Sequence, residues 1–500
     1  MCAYRSALLG LAAVATLTLA AGDVAFSQKL FSRGVSSNVA AKTPTRGPRI
    51  SATGPTRGGI RGGGRYYGGG FRGPGLGVVV PGVLGVIPPG GGNGPQGPNR
   101  PQQSAQRNTG NVPPANERRY VPDEVVLEIP NTVTPAQIDA LQTRFRLTRL
   151  GSQSFQLTGT ALYRWRIPNN VSVPRAVQAL GGDARVATVQ PNYLFTMQGD
   201  ESKSMSEGDA AQYELAKLHL PQAHALAKGD NILVAVIDSG VDANHPELAG
   251  AIAETYDALA QPLAPHKHGT AIAGLIVAHG RLMGAAPGAR ILAIRAFNPA
   301  DKGAAGTTFS ILKGLDWAAA HDARIINMSF AGPADPAIHR SLETAHKKGI
   351  VLVAAVGNAG AKSPPLYPAA DPNVIAVTAT DANDKLFEQA NRGPYVAIAA
   401  PGAKILVANP GGAYEVSSGT SYSAAEVSGI VALMLERKGD LTPDNVRDIL
   451  MATAKDLGPK GRDPLFGAGL ADAYGALMLE QAPVTASAPQ GIERVSAGAR

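Results

Sequence analysis

The chain has 500 residues, more than a single hydrophobic core usually organises, so two or more regions are expected. A hydrophobic content of 44% suits a globular protein, whereas 59 glycines and 38 prolines indicate that part of the chain does not pack. The formal charge of +8 is concentrated in residues 28–119, which contain 13 Lys/Arg and one acidic residue. Because the rest of the chain is net acidic, its charge argues against nucleic-acid binding. The only cysteine, Cys2, lies at the N-terminus, which excludes disulfides and a thiol nucleophile from the remainder.

Residues 1–27 have the pattern of a secretory signal peptide. Arg5 precedes an apolar run from Ala7 to Ala21, and small residues close the run. The run is too short to cross a bilayer comfortably. A buried apolar helix is the alternative, but no amphipathic segment follows the run. We therefore predict export, into the periplasm or out of the cell, with no transmembrane segment in the mature protein.

Residues 28–119 are of low complexity and rich in Gly, Pro and Arg. Such a segment buries too little apolar surface to offset its ordering entropy, so a disordered spacer is expected. An alternative is an Arg/Gly arm that binds an anionic surface or single-stranded nucleic acid, with Tyr66, Tyr67 and Phe71 as stacking groups. We favour the spacer because the chain is predicted to be exported, and residues 480–500 are likewise expected to be a disordered tail.

Residues 120–198 have alternating strand and helix patterns. The predicted elements are, in order, the strand Val125–Ile129, the helix Thr134–Arg144, the hairpin strands Leu147–Leu157 and Ala161–Ile167, the helix Val173–Leu180 and the strand Val186–Gln190. This β-α-β-β-α-β order predicts a small α+β domain of the ferredoxin-like kind. The polar stretch that follows, residues 199–211, is predicted to be an exposed linker.

Residues 212–479 alternate apolar runs with helical stretches. The predicted strands are Ile232–Ile237, Arg290–Phe297, Arg324–Met328, Ile350–Val356, Val374–Thr378 and Val396–Ala399. The predicted helices are Gly269–Ala278, Thr308–His321, Pro336–Lys348, Thr420–Arg437 and Pro443–Lys455. Continuous Val/Ile/Ala runs are typical of parallel strands that are covered on both faces. The fold class is therefore α/β, a doubly wound and mostly parallel sheet whose site lies at the carboxyl ends of its strands.

Three motifs place reactive side chains at such positions. Asp238 ends an apolar strand, His268 introduces a helix of small residues, and Ser421 follows a Gly-Thr turn at the start of a long apolar helix. Each has a plainer explanation, as a metal or ribose contact, a surface or capping histidine, and an N-cap serine. Together, in the order Asp, His, Ser, they favour one catalytic site.

With these motifs the chain resembles the subtilisin-like (subtilase, S8) serine peptidases, whose catalytic residues also follow the order Asp, His, Ser. The resemblance covers residues 212–479 and includes the segments Ile326–Gly332, Val353–Asn358, Tyr367–Ala369 and Ala400–Gly402. Residues 120–198, which close on Pro191-Asn192-Tyr193, are similar to the inhibitory propeptides of the family. The resemblance implies a subtilisin-like fold and a serine endopeptidase made as a self-processing zymogen.

The resemblance also assigns roles. His268 would take the proton of Ser421 as it attacks a peptide carbonyl, Asp238 would orient His268, and Asn358 would bind the oxyanion together with the Ser421 backbone N–H. A polypeptide substrate would lie extended against the Ser329–Gly332 segment and a facing segment. The expected substrate-binding residues are Ser329, Phe330, Ala331, Gly332, Ala355, Gly357 and Leu366. Leu366 stands where the family often has Gly, which predicts a short primary pocket that favours small or medium apolar side chains.

The remaining expectations concern partners and cofactors. Residues 120–198 would act as an intramolecular inhibitor, with self-cleavage in the linker, and the mature enzyme would be a monomer. No cofactor is expected for the chemistry. Structural calcium is common in the family, but no loop here is dense enough in carboxylates to assign a site. A metal site at His245, His266 and His268 is disfavoured because no Cys or carboxylate cluster accompanies them.

Two alternatives stay open at this point. The family's usual residues after the nucleophile are replaced here by Tyr422, Ser423, Ala425 and Glu426, which leaves room for a catalytically silent binding protein of the same fold. The other alternative is a protease anchored to the envelope or to nucleic acid through its Arg/Gly arm.

Overall fold

The computed structural model describes residues 110–198, 212–261, 265–300 and 303–479. The predicted signal peptide, most of the Gly/Pro/Arg-rich segment, the linker and the C-terminal tail lie outside them. The expectation of disorder up to residue 119 is wrong for its last ten residues. The Asn111 N–H donates to the Val189 carbonyl at 2.9 Å, and the Arg119 carbonyl accepts from the Leu194 N–H at 2.9 Å. This stretch has a defined path because its backbone pairs with the strand that ends the following region.

Residues 120–197 contain four strands and two helices in the order β-α-β-β-α-β. The elements are β1 (Tyr120–Pro130), α1 (Pro135–Phe145), β2 (Thr148–Phe155), β3 (Thr160–Arg166), α2 (Val173–Gly181) and β4 (Thr188–Met197). The strands lie in the order β2-β3-β1-β4 and these neighbours are antiparallel. Thr134 and Gln137 form a capping box that begins α1. Val125, Leu127 and Trp165 are fully buried in the core between the sheet and the helices.

The region from residue 212 contains a parallel sheet. The strands of this region are β5 (Leu233–Asp238), β6 (Ile252–Asp257), β7 (Arg290–Arg295), β8 (Phe297–Ala300), β9 (Gly303–Thr307), β10 (Ile325–Met328), β11 (Phe330–Ala331), β12 (Val351–Ala355), β13 (Ile375–Thr380), β14 (Ile398–Pro401), β15 (Ile405–Asn409) and β16 (Ala413–Ser417). Seven of them pair in the order β14-β13-β12-β10-β5-β7-β6. All neighbours in this sheet are parallel, as the continuous apolar runs predict.

Helices cover both faces of this sheet. They are α3 (Tyr213–Lys217), α4 (Leu220–His224), α5 (Lys267–Val277), α6 (Thr308–Ala320), α7 (Pro336–Lys347), α8 (Thr420–Arg437), α9 (Pro443–Thr453) and α10 (Ala473–Leu479), with a 3-10 turn at Pro246–Leu248. Side chains of α5 and α8 form one core with the sheet, and those of α6 and α7 form the core on the opposite face. None of the described helices is both long enough and apolar enough to cross a membrane.

The strand order reverses beside β5. Its neighbours are β10 and β7, which follow it in the chain and lie on opposite sides. In a doubly wound sheet the ligand site lies at the carboxyl ends of the strands beside such a reversal. Asp238, the last residue of β5, therefore stands at the expected place.

β4 joins the two regions. It extends to Met197, beyond the predicted strand Val186–Gln190. Its first half pairs with β1, while its second half continues between β9 and β11. Leu194, Phe195 and Thr196 pair with β9, and Thr196 and Met197 pair with β11. The buried Phe195 ring meets the Phe330 ring edge-on at 6.0 Å. The added strand brings Gln198 to the carboxyl edge of the parallel sheet.

Candidate active site

Asp238 and His268 form a buried pair. Asp238 is fully buried at the end of β5, and His268, which is 6% exposed, is the second residue of α5. The His268 Nδ1 lies 2.9 Å from each carboxylate oxygen of Asp238. Helix α5 approaches this closely because its next residue is Gly269, where a Cβ would lie 2.2 Å from the Gly240 carbonyl oxygen. The ring of His268 is therefore held with Nδ1 toward the carboxylate.

A second layer holds the carboxylate. The Asp238 Oδ1 accepts from the backbone N–H of Ser239 at 2.7 Å and from its hydroxyl at 2.9 Å. The other ring nitrogen of His268, Nε2, is buried and has no hydrogen-bond partner among the residues described. That nitrogen is free to accept a proton.

Ser421 is the second residue of α8 and is fully buried. Its hydroxyl donates to the Gln198 carbonyl at 2.6 Å, with the Ser329 carbonyl at 3.1 Å as the alternative acceptor. The Tyr422 ring, on the next residue, lies 6.2 Å from the His268 ring, which places the histidine and the serine at the same edge of the sheet. The Ser421 hydroxyl is turned to the Gln198 carbonyl, and no hydrogen bond joins it to His268 in this state.

Asn358 meets the same carbonyl. Its Nδ2 donates to the Gln198 oxygen at 2.8 Å. The opposite end of the amide is fixed, since Oδ1 accepts from the Thr420 N–H at 3.1 Å and from the Thr420 hydroxyl at 2.8 Å. The Gln198 carbonyl oxygen thus lies between a side-chain amide donor and the serine hydroxyl.

Four of the predicted substrate-binding residues, Ser329 to Gly332, lie against the end of β4. Phe330 and Ala331 pair with it, and the Ser329 carbonyl accepts from the Gln198 N–H at 3.3 Å. Gly332 is required at its position, since a Cβ there would lie 2.3 Å from the Phe195 ring. On its other side β4 pairs with β9, which makes β9 the candidate for the facing segment that sequence reasoning left unidentified.

A cavity lies beside Gln198, where the primary pocket is predicted. The cavity has a volume of about 590 Å³ and is lined by Thr196, Gln198, Ala331, Asn358 and Leu366, among others. Leu366 is buried, and its side chain is 3.1 Å from the place of a Cβ on Gly357. Ala355 is fully buried at the end of β12. The Gln198 side chain bonds to the backbone of Asn358, because its Oε1 accepts from the Asn358 N–H at 2.8 Å.

Sequence reasoning missed Gln198, Thr420, Ser239 and His266 as parts of the site. The Ser-Gly-Thr-Ser stretch contained a signal for Thr420, because a hydroxyl next to the nucleophile is suited to orient a neighbouring amide. Gln198 has no local signal, because its position follows from the pairing of β4 with distant strands.

The three histidines considered for a metal have other hydrogen bonds. His245 Nε2 bonds to the Ala413 carbonyl at 3.1 Å, His266 Nδ1 to the Ser239 hydroxyl at 2.8 Å and His268 to Asp238. Within the described ranges no group of three or more His, Cys, Asp or Glu is arranged to hold a metal ion.

The larger region of the chain is similar to known proteins. The model of the subtilase family, Peptidase S8, matches residues 229–469. Thermitase of Thermoactinomyces vulgaris is 34% identical over 274 residues, which cover 53% of this chain and 95% of thermitase. Subtilisin E of Bacillus subtilis is 31% identical over 314 residues, covering 60% of this chain and 78% of that protein.

A solved structure extends the likeness in fold. The structure of fervidolysin from Fervidobacterium pennivorans, described as a keratinolytic enzyme related to subtilisin, has a TM-score of 0.61 and 24% sequence identity. The match covers 72% of this chain and 61% of that one. At this identity the likeness concerns the fold alone.

Proposed function

The chain belongs to the subtilase family and is a serine-type endopeptidase, and we propose that Ser421, His268 and Asp238 perform its chemistry. One observation carries this proposal. The carbonyl oxygen of a peptide group, that of Gln198, lies 2.6 Å from the Ser421 hydroxyl and 2.8 Å from the Asn358 amide. A peptide carbonyl held between a buried hydroxyl and a fixed amide donor is one proton shift away from the arrangement that acyl transfer requires, in which the hydroxyl donates to His268 and its oxygen faces the carbonyl carbon.

The proposed reaction proceeds by an acyl-enzyme. Ser421 Oγ attacks the carbonyl carbon, and its proton passes to the unpartnered Nε2 of His268. Asp238 accepts from Nδ1, which fixes the tautomer and stabilises the imidazolium. The negative charge on the carbonyl oxygen is met by Asn358, and by the Ser421 backbone N–H at the start of α8. His268 then returns the proton to the leaving amine, and water hydrolyses the ester.

We also propose that residues 120–198 are a ferredoxin-like inhibitory propeptide and that the chain cleaves itself. The support is the path of β4, whose second half occupies the cleft as an extended strand between β9 and β11. The bond after the seated carbonyl is Gln198–Gly199, at the start of the predicted linker. Ser421 would form an ester with Gln198, and Gly199 would become the new amino terminus.

The rest of the proposed organisation follows the sequence. Residues 1–27 direct export to the periplasm or medium, residues 28 to about 109 are a spacer, residues 212–479 are the peptidase domain, and residues 480–500 are a tail. The enzyme acts on polypeptides as a monomer, and its chemistry needs no cofactor. Structural calcium, common in the family, has no assigned place here.

The test compares the full chain with Ser421→Ala on casein, followed by mass spectrometry of the purified protein. The wild type should degrade casein and yield a fragment that begins at Gly199, whereas Ser421→Ala should do neither. Ser418→Ala is a matched control, since its hydroxyl accepts from the Lys404 N–H at 2.9 Å and takes part in none of the hydrogen bonds described for Gln198. Equal hydrolysis by the Ser421→Ala variant would reject the assigned nucleophile.

The outcomes also separate the alternatives. A silent binding protein would show neither cleavage nor labelling by an active-site serine reagent. An intact wild-type chain that degrades casein would reject self-processing and leave the catalytic assignment standing. Salt-dependent binding of residues 28–119 to an anionic surface would favour the anchored protease.

A further inference from the structure

A second histidine is connected to the catalytic pair. His266 is half-buried at the N-cap of α5, two residues before His268. Its Nδ1 lies 2.8 Å from the Ser239 hydroxyl oxygen, and that hydroxyl lies 2.9 Å from the Oδ1 of Asp238. A continuous path of hydrogen bonds therefore runs from His266 through Ser239 to Asp238 and His268.

The protons on this path can be assigned by chemistry. The Ser239 hydroxyl has one proton and two neighbours that could accept it, a carboxylate oxygen and an imidazole nitrogen. A hydrogen bond to an ionised carboxylate is about twice as strong as one between neutral groups, so the proton goes to Asp238. The contact of 2.8 Å between Ser239 and His266 then requires that the imidazole donate from Nδ1.

One other contact competes for that nitrogen. The backbone N–H of His268 points to His266 Nδ1 at 3.4 Å, near the upper limit for a hydrogen bond. The contact with Ser239 is 0.6 Å shorter, and it leaves the Ser239 hydroxyl proton available to Asp238. The shorter bond therefore decides the tautomer.

We propose that His266 is a positioning residue, held as the Nδ1–H tautomer, which orients the Ser239 hydroxyl so that it donates to Asp238. The inference rests on the proposed catalytic roles of Asp238 and His268. Loss of the imidazole would free the Ser239 hydroxyl to rotate, and the carboxylate would lose one of the two hydrogen bonds that it accepts from Ser239. Misorientation of the carboxylate impairs the stabilisation of the imidazolium rather than substrate binding.

Burial favours the neutral form of His266. Burial lowers the pKa of His266, Asp238 and Glu415 raise it, and His268 and Lys267 lower it, with burial the largest cause. A neutral imidazole has one N–H, so the tautomer is a definite property that can be measured.

The first test measures that tautomer without using activity. The full chain is prepared as Ser421→Ala with ¹⁵N-histidine, and the ring nitrogens are assigned at pH 8 by comparison with the additional variant His266→Asn. We expect the proton of His266 on Nδ1. A proton on Nε2, with an acceptor at Nδ1, overturns the proposal.

The second test uses kinetics in the active chain. His266→Ala and Ser239→Ala should each lower kcat about tenfold with little change in KM, as for the loss of one hydrogen bond to a charged group. The double variant should be no slower than the slower single variant, because both changes break the same path. Multiplicative losses, or full activity in Ser239→Ala, would contradict it.

Two further variants separate positioning from damage to the fold. The amide of His266→Asn can donate from the place of Nδ1, so it should recover most of the activity lost in His266→Ala. His279→Ala removes a histidine just beyond α5 that bonds to the Val277 carbonyl at 2.9 Å, and it should leave kcat unchanged. If the wild type proves inactive while the tautomer is as expected, the catalytic assignment fails and the contact stands.

Discussion

Two buried carboxyl groups lie in the first helix after the linker and in the helix of the nucleophile. Glu214 lies in α3 and Glu426 in α8, and both side chains are almost completely inaccessible to solvent. Both carboxyl oxygens of Glu214 and the Oε2 of Glu426 lack hydrogen-bond partners within the described ranges. Unpaired carboxylates are costly to bury, so these groups must retain protons to pH values where a solvated glutamate is ionised.

The direction and size of the effect follow from burial. Burial raises the pKa of Glu214 from 4.5 to about 7, and burial together with the charge of Glu214 raises the pKa of Glu426 well above its ordinary value. The folded state then holds more protons than the unfolded state, so the stabilisation is fully present below pH 4.5 and is lost as the pH rises through about 7. A shift of this size for Glu214 corresponds to about 3 kcal/mol of unfolding free energy.

Glu214→Gln should therefore stabilise the protein at pH 8 by up to about 3 kcal/mol and change little at pH 4.5. The amide is nearly isosteric and neutral at both values, so the penalty for ionisation disappears. The assay is guanidinium unfolding at the two pH values in the Ser421→Ala background, which prevents autolysis. Glu388→Gln, on an exposed side chain, is the matched control and should be neutral at both. A loss of stability at pH 8, or the same change at both pH values, would refute the reasoning.

Three further predictions concern the Asn358 amide, the loop at residues 280–282 and strand β4. Asn358→Ala should lower kcat by about 10²–10³, the loss measured for such a donor in subtilisin, with a smaller effect on KM in a peptide assay. Glu247 accepts three backbone N–H bonds from residues 280–282 at 2.9–3.0 Å and one from the Tyr414 hydroxyl, so Glu247→Gln should lower the unfolding free energy by about 1–3 kcal/mol in denaturant titrations. Gln190 bonds to Asp335 at 2.6 Å and to the Ala337 N–H at 3.0 Å, across the contact between residues 110–198 and the larger region. On the proposed inhibitory role, Gln190→Ala should raise the inhibition constant of the isolated 110–198 segment about tenfold or more.

The parallel sheet could be predicted because its inner strands carry their own signal. Ile325–Met328 and Val351–Ala355 are buried along their whole length, and continuous apolar runs are the pattern of strands covered on both faces. β6 was missed because it is the edge strand, with two exposed residues and no apolar run. β9 was missed because the sequence GAAGT has little strand propensity, and its pairing depends on β4 and β8.

Local patterns also predicted which side chains meet at the candidate site. Asp238, His268 and Ser421 each follow a local pattern, since they stand where a strand ends or a helix begins. The parts that were missed depend on contacts between residues far apart in the chain. Gln198 is 223 residues from Ser421, and only the extension of β4 brings its carbonyl to the hydroxyl.

The extended strand β4 explains why Ser421 does not bond to His268 and why the His268 Nε2 has no partner. A hydroxyl has one proton, so while Ser421 donates it to the Gln198 carbonyl it cannot donate it to His268, and the Nε2 is left without a partner. On the proposed function, cleavage of this strand requires that the Ser421 proton pass to His268, and each chain undergoes this cleavage once. The fragment ending at Gln198 would then still hold its pairing with β9 and β11 and the bond between Gln190 and Asp335. Because these contacts outlast the peptide bond, departure of the strand rather than its cleavage should set the rate at which the peptidase becomes active.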